Sequence, residues 1–239
     1  MTAQSIDHAF KIFYLFANIW VAFSFLRSKV YRVFPFLCTF VCLALPDSVL
    51  ASFPGSNTAI YFYSFIISSS IFVVLYLLMV GELCSRLFHG HNGPQSVRRC
   101  ILSLPVAAGL AVSAIAGYLV TFRFVSHRGV LGYVARVEGL ETLGLCTFLA
   151  VLFFSASRIL PAIPPQIVRH GVILGLYFLV NAAVLLLWAR LPKPYTRIAN
   201  ETMLFVESGC YLAWAALFSV KTVLKNAPSS NRALTATAR

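Results

Sequence analysis

Five of the seven acidic residues in this chain, Asp47, Glu82, Glu138, Glu141 and Glu207, lie inside long apolar runs. A carboxyl group near the centre of a bilayer costs at least about 2.5 to 3.5 kcal/mol, so such acids are rare and tend to mark substrate paths, proton relays or ligand counter-charges. Glu138 and Glu141 are three residues apart, on nearly the same face of a helix. Arg136 is the basic residue within that stretch and can neutralise one acid. In one low-dielectric site the remaining carboxylates cannot all be ionised together. Glu141 or Asp47, kept protonated by burial, would then be the general acid candidates, with tyrosines able to flank a developing cation.

These residue types together predict a ligand-binding pocket lined by Asp47, Glu138, Glu141 and Glu207, with Arg136 beside them. Tyr61, Tyr63 and Ser64 join it from the third apolar run and Asn181 from the sixth. The competing expectation is packing, in which the acids pair with Arg136, Arg190 and backbone groups. Glu82 precedes Arg86 by one turn, the spacing of an ordinary helix ion pair.

Other chemistry-bearing residues are less organised. Cys38, Cys42, Cys84, Cys100, Cys146 and Cys210 all fall in or beside apolar runs without a Cys-x-x-Cys, as buried free thiols do. His89-Gly-His91 near Cys84 matches no metal spacing, and His170 beside Arg169 reads as a solvated helix end. The sequence predicts no metal and no cofactor.

The elements that must position these groups follow from composition. The 239 residues are 59% hydrophobic and 11% charged, with a mean hydropathy of +0.84. A soluble domain carries about a quarter charged residues, so this is an integral membrane protein. A span needs about 20 apolar residues, and seven runs qualify: 9–26, 33–53, 59–84, 101–122, 130–156, 167–188 and 203–224. They are apolar around the whole circumference rather than alternating, which selects helices over barrel strands. Pro54-Gly55, Gly93-Pro94, Pro161, Pro164-Pro165, Pro192 and Pro194 fall between them.

The expected fold class is therefore all-α: a polytopic seven-transmembrane-helix bundle forming one domain over 1–225, with a short polar tail at 226–239. Asp7 and the lack of a small-residue cleavage site argue that the first run is a span and not a signal peptide. Pro46 predicts a kink in the second span, and Gly109, Ser113 and Gly117 form a small-residue packing stripe in the fourth. Ser68-Ser69-Ser70 should bond back to its own helix.

The net charge of +12 does not indicate nucleic acid, because the Lys and Arg residues are dispersed at span ends. Twelve fall on the face holding the loops after spans one, three and five plus the tail, and seven fall opposite. The positive-inside rule then places the N-terminus outside and the C-terminus in the cytoplasm. The basic rim would attract anionic lipid head groups at about 1 kcal/mol per residue. Asn200-Glu201-Thr202 is a glycosylation sequon on the outer side, relevant only in a eukaryotic host. With this orientation the four pocket acids share the outer half, Glu141 deepest at roughly 16 Å below Val130.

Several functions are disfavoured. Lys221, the lysine of the last span, sits toward its cytoplasmic end rather than where a retinal Schiff base would form. No Asp-Arg-Tyr follows span three, where Glu82-Leu-Cys-Ser-Arg86 stands, and no Asn-Pro-x-x-Tyr closes span seven. No internal repeat of a transporter is recognisable, and the cytoplasmic half offers only Glu82 and His170 to continue an ion path.

In size, span count and buried acids the chain is similar to the fungal membrane terpene cyclases, but their Trp-Glu segment is not recognisable and no residue roles carry over. The segment Tyr61-Phe-Tyr63-Ser64-Phe-Ile-Ile-Ser68 through Gly81-Glu82-Leu-Cys-Ser-Arg86-Leu-Phe88, about 28 residues, resembles the third span of uncharacterised bacterial seven-helix proteins. That resemblance implies a bacterial inner (plasma) membrane location and brings no activity. The resulting expectation is a non-enzymatic accessory subunit or a small-molecule or lipid-binding sensor with an outward-facing acidic pocket. The alternatives are a membrane-embedded lipid or isoprenoid enzyme, then a proton- or cation-coupled transporter. The expected partners are the lipid bilayer and a membrane protein or hydrophobic small molecule.

Overall fold

The computed structural model describes residues 3–52, 58–88, 127–159, 163–188 and 193–219. Within them lie six α-helices and no strand: α1 (Ala3–Ser28), α2 (Pro35–Ser52), α3 (Thr58–Leu87), α4 (His127–Ile159), α5 (Pro165–Trp188) and α6 (Lys193–Leu217). Four contain stretches long and apolar enough to cross a bilayer, His8–Ser28, Ile66–Leu87, Val134–Arg158 and Pro165–Leu187, and α2 carries a shorter apolar stretch, Pro35–Pro46. The described part is all-helical, and its apolar helices fit an integral membrane protein. The run at 101–122 with its Gly109, Ser113 and Gly117 stripe lies outside the described residues, as do His89, His91, Cys100, Arg123, Arg190, Lys221 and the tail.

Local signals explain the boundaries. After α1, Lys29 takes the left-handed conformation (φ 55°, ψ 33°) and Val30–Arg32 forms one 3-10 turn, which reverses the chain. Proline begins both α2 and α5, where its fixed φ suits the first helical position and its missing N–H costs no bond. Helix α2 continues through Pro46 to Ser52. Helix α6 begins at Lys193 instead of near Met203. Its first turns are polar, and Pro194 is tolerated at a helix start rather than marking a break. The Ser70 hydroxyl donates to the Ile66 carbonyl at 2.8 Å, the back-bonding expected of the serine run.

The helices close into a ring: α1 packs on α2 and α6, α2 on α3, α3 on α4 and α5, α4 on α5, and α5 on α6. Paired residues set the directions. Phe10 meets Phe205, Tyr14 meets Tyr211 and Phe25 meets Phe218, so α1 and α6 are parallel. Asn181 meets Glu207 while His170 meets Trp214, so α5 runs against α6. Gly139 faces Leu185 and Leu186 while Gly171 faces Phe153, so α4 runs against α5. Arg86 donates to the Val33 carbonyl at 2.8 Å, joining the end of α3 to the approach of α2. Thus α1, α3, α4 and α6 share one direction and α2 and α5 the other. One end of the bundle holds Leu87, Ile159 and Pro165, and the other holds Thr58, His127 and Lys193.

Ile12, Phe16, Trp20, Phe23, Val151, Phe154 and Val172 cover the outside of the ring. In lipid this exposure carries no hydrophobic cost, so packing and polar contacts inside must hold the bundle together.

Candidate functional site

The polar groups inside the ring fall in three layers. Nearest the Lys193 end, α4 buries Glu138 and, one turn further in, Glu141, which is 1% exposed. The buried Thr142 hydroxyl is used by its own helix, donating to the carbonyls of Glu138 (2.9 Å) and Gly139 (3.1 Å). Across the interior, α5 and α6 contribute Asn181 and Glu207. The Asn181 Nδ2 donates to Glu207 Oε1 at 2.9 Å and to the Tyr177 carbonyl at 3.0 Å. Among the described residues, neither carboxyl oxygen of Glu141 finds a hydrogen-bond partner.

The second layer is a belt of phenols from four different helices. Tyr76 of α3 and Tyr177 of α5 stand 3.3 Å apart through their hydroxyls, and Tyr14 of α1 and Tyr211 of α6 stand 3.4 Å apart. The rings of Tyr177 and Tyr211 lie 6.5 Å apart between centroids, tilted to one another, and Tyr76 lies within electrostatic reach of both Glu138 and Glu207. Phe40 of α2 sits edge-on to Tyr177 and tilted to Tyr76, so five helices contribute a ring to this layer.

The third layer, nearest the Pro165 end, is His170 with Trp214. The indole Nε1 donates to His170 Nδ1 at 3.0 Å. A nitrogen that accepts carries no proton, so the imidazole proton sits on Nε2. Nε2 finds no hydrogen-bond partner among the described residues, and Phe34 and Phe218 pack edge-on to the ring. His170 is 1% exposed, which corrects the expectation of a solvated helix end. Arg169 points outward, and the next residue, about 100° round the helix, points in.

The predicted lining separates accordingly. Glu138, Glu141, Asn181 and Glu207 are buried inside the ring. Tyr63 is 64% exposed on the outer surface of α3 and does not join them. Arg136 is half-buried. The side chains of Asp47, Tyr61 and Ser64 lie outside the described part. The expected Glu82–Arg86 pair is replaced by contacts to the start of α2: Arg86 bonds the Val33 carbonyl, and Glu82 Oε2 accepts the Leu37 N–H at 3.5 Å. An amide in the first turn of a helix has no internal acceptor, so the carboxylate competes well for it.

Sequence reasoning missed the four tyrosines, Asn18 and Trp214. A signal was present: Glu207, Tyr211, Trp214 and Phe218 recur at helical spacing, as do Tyr14, Asn18, Val21 and Phe25. Each places polar atoms on the one face that is also richest in large side chains. Cys38, Cys84 and Cys210 are buried free thiols, Cys146 is half-buried and Cys42 is exposed. Among the described residues no three His, Cys, Asp or Glu side chains converge to hold a metal. No family model, curated protein or solved structure matches this chain.

Proposed function

We propose that this protein is a seven-span bacterial inner-membrane protein that binds a small hydrophobic molecule or lipid, without a catalytic step of its own. It acts as a sensor or as an accessory subunit of a larger membrane assembly. The observation that carries the reading is Glu141: a carboxyl group wholly inside the ring with neither oxygen bonded among the described residues. A buried polar group without a partner is costly in any protonation state, and a ligand hydroxyl or amine would meet it. The apolar remainder of such a ligand would lie against the phenol and Phe40 layer beneath.

The seven-span reading is supported by helix direction. Because α3 and α4 are parallel, Leu87 and His127 lie at opposite ends of the bundle, as a further crossing between them would require. The apolar run at 101–122 is long enough for that crossing. The excess of Lys and Arg at the Pro165 end then supports an external N-terminus and a cytoplasmic C-terminus.

The test is purification from native membranes in mild detergent, followed by mass spectrometry of proteins and small molecules. We expect a retained amphiphile that Glu141→Ala loses while the variant stays monodisperse. Stoichiometric partner proteins found alongside it would assign the accessory role. Partners with no small molecule, in wild type and variant alike, would make the acids packing elements and overturn the ligand site.

A lipid or isoprenoid enzyme is the second reading, favoured by the aromatic floor of Tyr76, Tyr177, Tyr211 and Phe40 beneath the carboxyl layer, which suits a cationic intermediate. It predicts that Glu141→Gln abolishes product formation from an isoprenoid substrate while folding and expression are unchanged.

A further inference from the structure

The three polar layers cover about half of a membrane's hydrocarbon thickness. Glu138 lies four residues inside the stretch that begins at Val134, and His170 lies five residues inside the one that begins at Pro165. At 1.5 Å per residue these depths are roughly 6 and 7.5 Å, against a hydrocarbon thickness of about 30 Å. Between them the phenol belt fills the middle, and each hydroxyl both donates and accepts. Among the described residues the buried side-chain atoms without hydrogen-bond partners are both oxygens of Glu141, both amide atoms of Asn18 one turn from Tyr14, and Nε2 of His170. Buried polar atoms of this kind are ordinarily met by internal water. Beyond His170 the path reaches the Pro165 end, where Arg86 stands 5.9 Å from the ring of Phe34, itself packed on His170.

We propose that the interior of the bundle conducts protons between the two membrane faces, from Glu138 and Glu141 through the Tyr76–Tyr177–Tyr211 belt and Asn18 to His170, with Trp214 as the latch. A proton enters at a carboxyl, each hydroxyl or water accepts one proton and releases another, and one leaves from the imidazole, so no bond is made or lost overall. Conduction through an imidazole requires one nitrogen to receive while the other releases. Here the indole N–H occupies Nδ1 and, being only a donor, passes nothing on. The path is closed while that bond stands and opens when Trp214 withdraws. This goes beyond the ligand reading and shares Glu141 and the phenol belt with it. Loss of a co-purified molecule tests that reading, whereas proton flux tests this one.

The experiment is reconstitution of the purified protein in potassium-loaded phospholipid vesicles containing a pH-sensitive dye, with valinomycin supplying the compensating potassium current. Wild type should acidify or alkalinise faster than protein-free vesicles. Trp214→Phe should raise the rate about fivefold, the factor that one hydrogen bond added to a barrier represents. Adding Tyr177→Phe to that variant should return the rate to the protein-free level, while Phe retains the ring contacts of the belt. Monodisperse elution and helical circular dichroism qualify each variant. If Trp214→Phe does not fold, wild type against Tyr177→Phe alone decides. A wild-type rate equal to that of protein-free vesicles, or a double variant as fast as Trp214→Phe, overturns the proposal.

Discussion

Asn181 divides one amide group between two acceptors, the Tyr177 carbonyl of its own helix and the Glu207 carboxyl of the next. In a membrane interior a cross-helix hydrogen bond of this type is worth roughly 0.6 to 2 kcal/mol. Asn181→Leu should therefore lower the stability of the α5–α6 pair by about 1 kcal/mol. The check is a lower midpoint of denaturant-induced unfolding in detergent, and an unchanged midpoint would remove Asn181 from the helix-holding role. The acids of this layer were legible in the sequence because a carboxylate in an apolar run is conspicuous by its cost. The phenols were not. Tyrosine is acceptable at any depth, and with ten in the chain nothing short of helix rotation distinguishes Tyr177, fully inside, from Tyr63, facing out. His170 failed for the same reason, since its outward-facing neighbour Arg169 suggested water for both.

At the scale of elements, α4 and α5 approach each other through two glycines. A Cβ on Gly139 would meet Leu185 and Leu186 at 3.1 Å, and one on Gly171 would collide with the ring of Phe153. Overpacking of this kind costs about 1 to 3 kcal/mol. Gly171→Ala should destabilise the bundle by that amount, and Phe153→Leu should recover much of the loss. Gly175, one turn along, has open space around its Cβ position. Gly175→Ala should be neutral or stabilising by up to about 1 kcal/mol, because alanine is the better helix residue. Thermal unfolding in detergent of the four proteins tests the set, and equal midpoints for Gly171→Ala and Gly175→Ala would refute the close-approach argument. Apolar runs located these helices to within a few residues wherever span and helix coincide. They failed at α6, where the helix begins with a polar segment that a hydropathy ruler excludes. They also could not foresee that Arg86 and Glu82 would turn to the start of α2, because those acceptors and donors come from a different element.

For the whole molecule the decisive relation is between α3 and α4, adjacent in the ring and parallel although consecutive among the described helices. Each other consecutive pair that the contacts orient is antiparallel, as short connections require. If the proposed seven-span reading holds, residues 90 and 126 should report opposite sides. The proposed orientation, from twelve Lys and Arg against seven, puts the N-terminus outside. Alkaline phosphatase fused after residues 55, 126 and 192 should then be active in a bacterial host, and fused after residues 32, 90 and 163 inactive. An inverted pattern would reverse the orientation and keep the seven crossings. Equal reporting at 90 and 126 would remove the crossing itself. In that case the parallel arrangement of α3 and α4 would be refuted, whereas Glu138 and His170 would stay at opposite ends because α4 runs against α5.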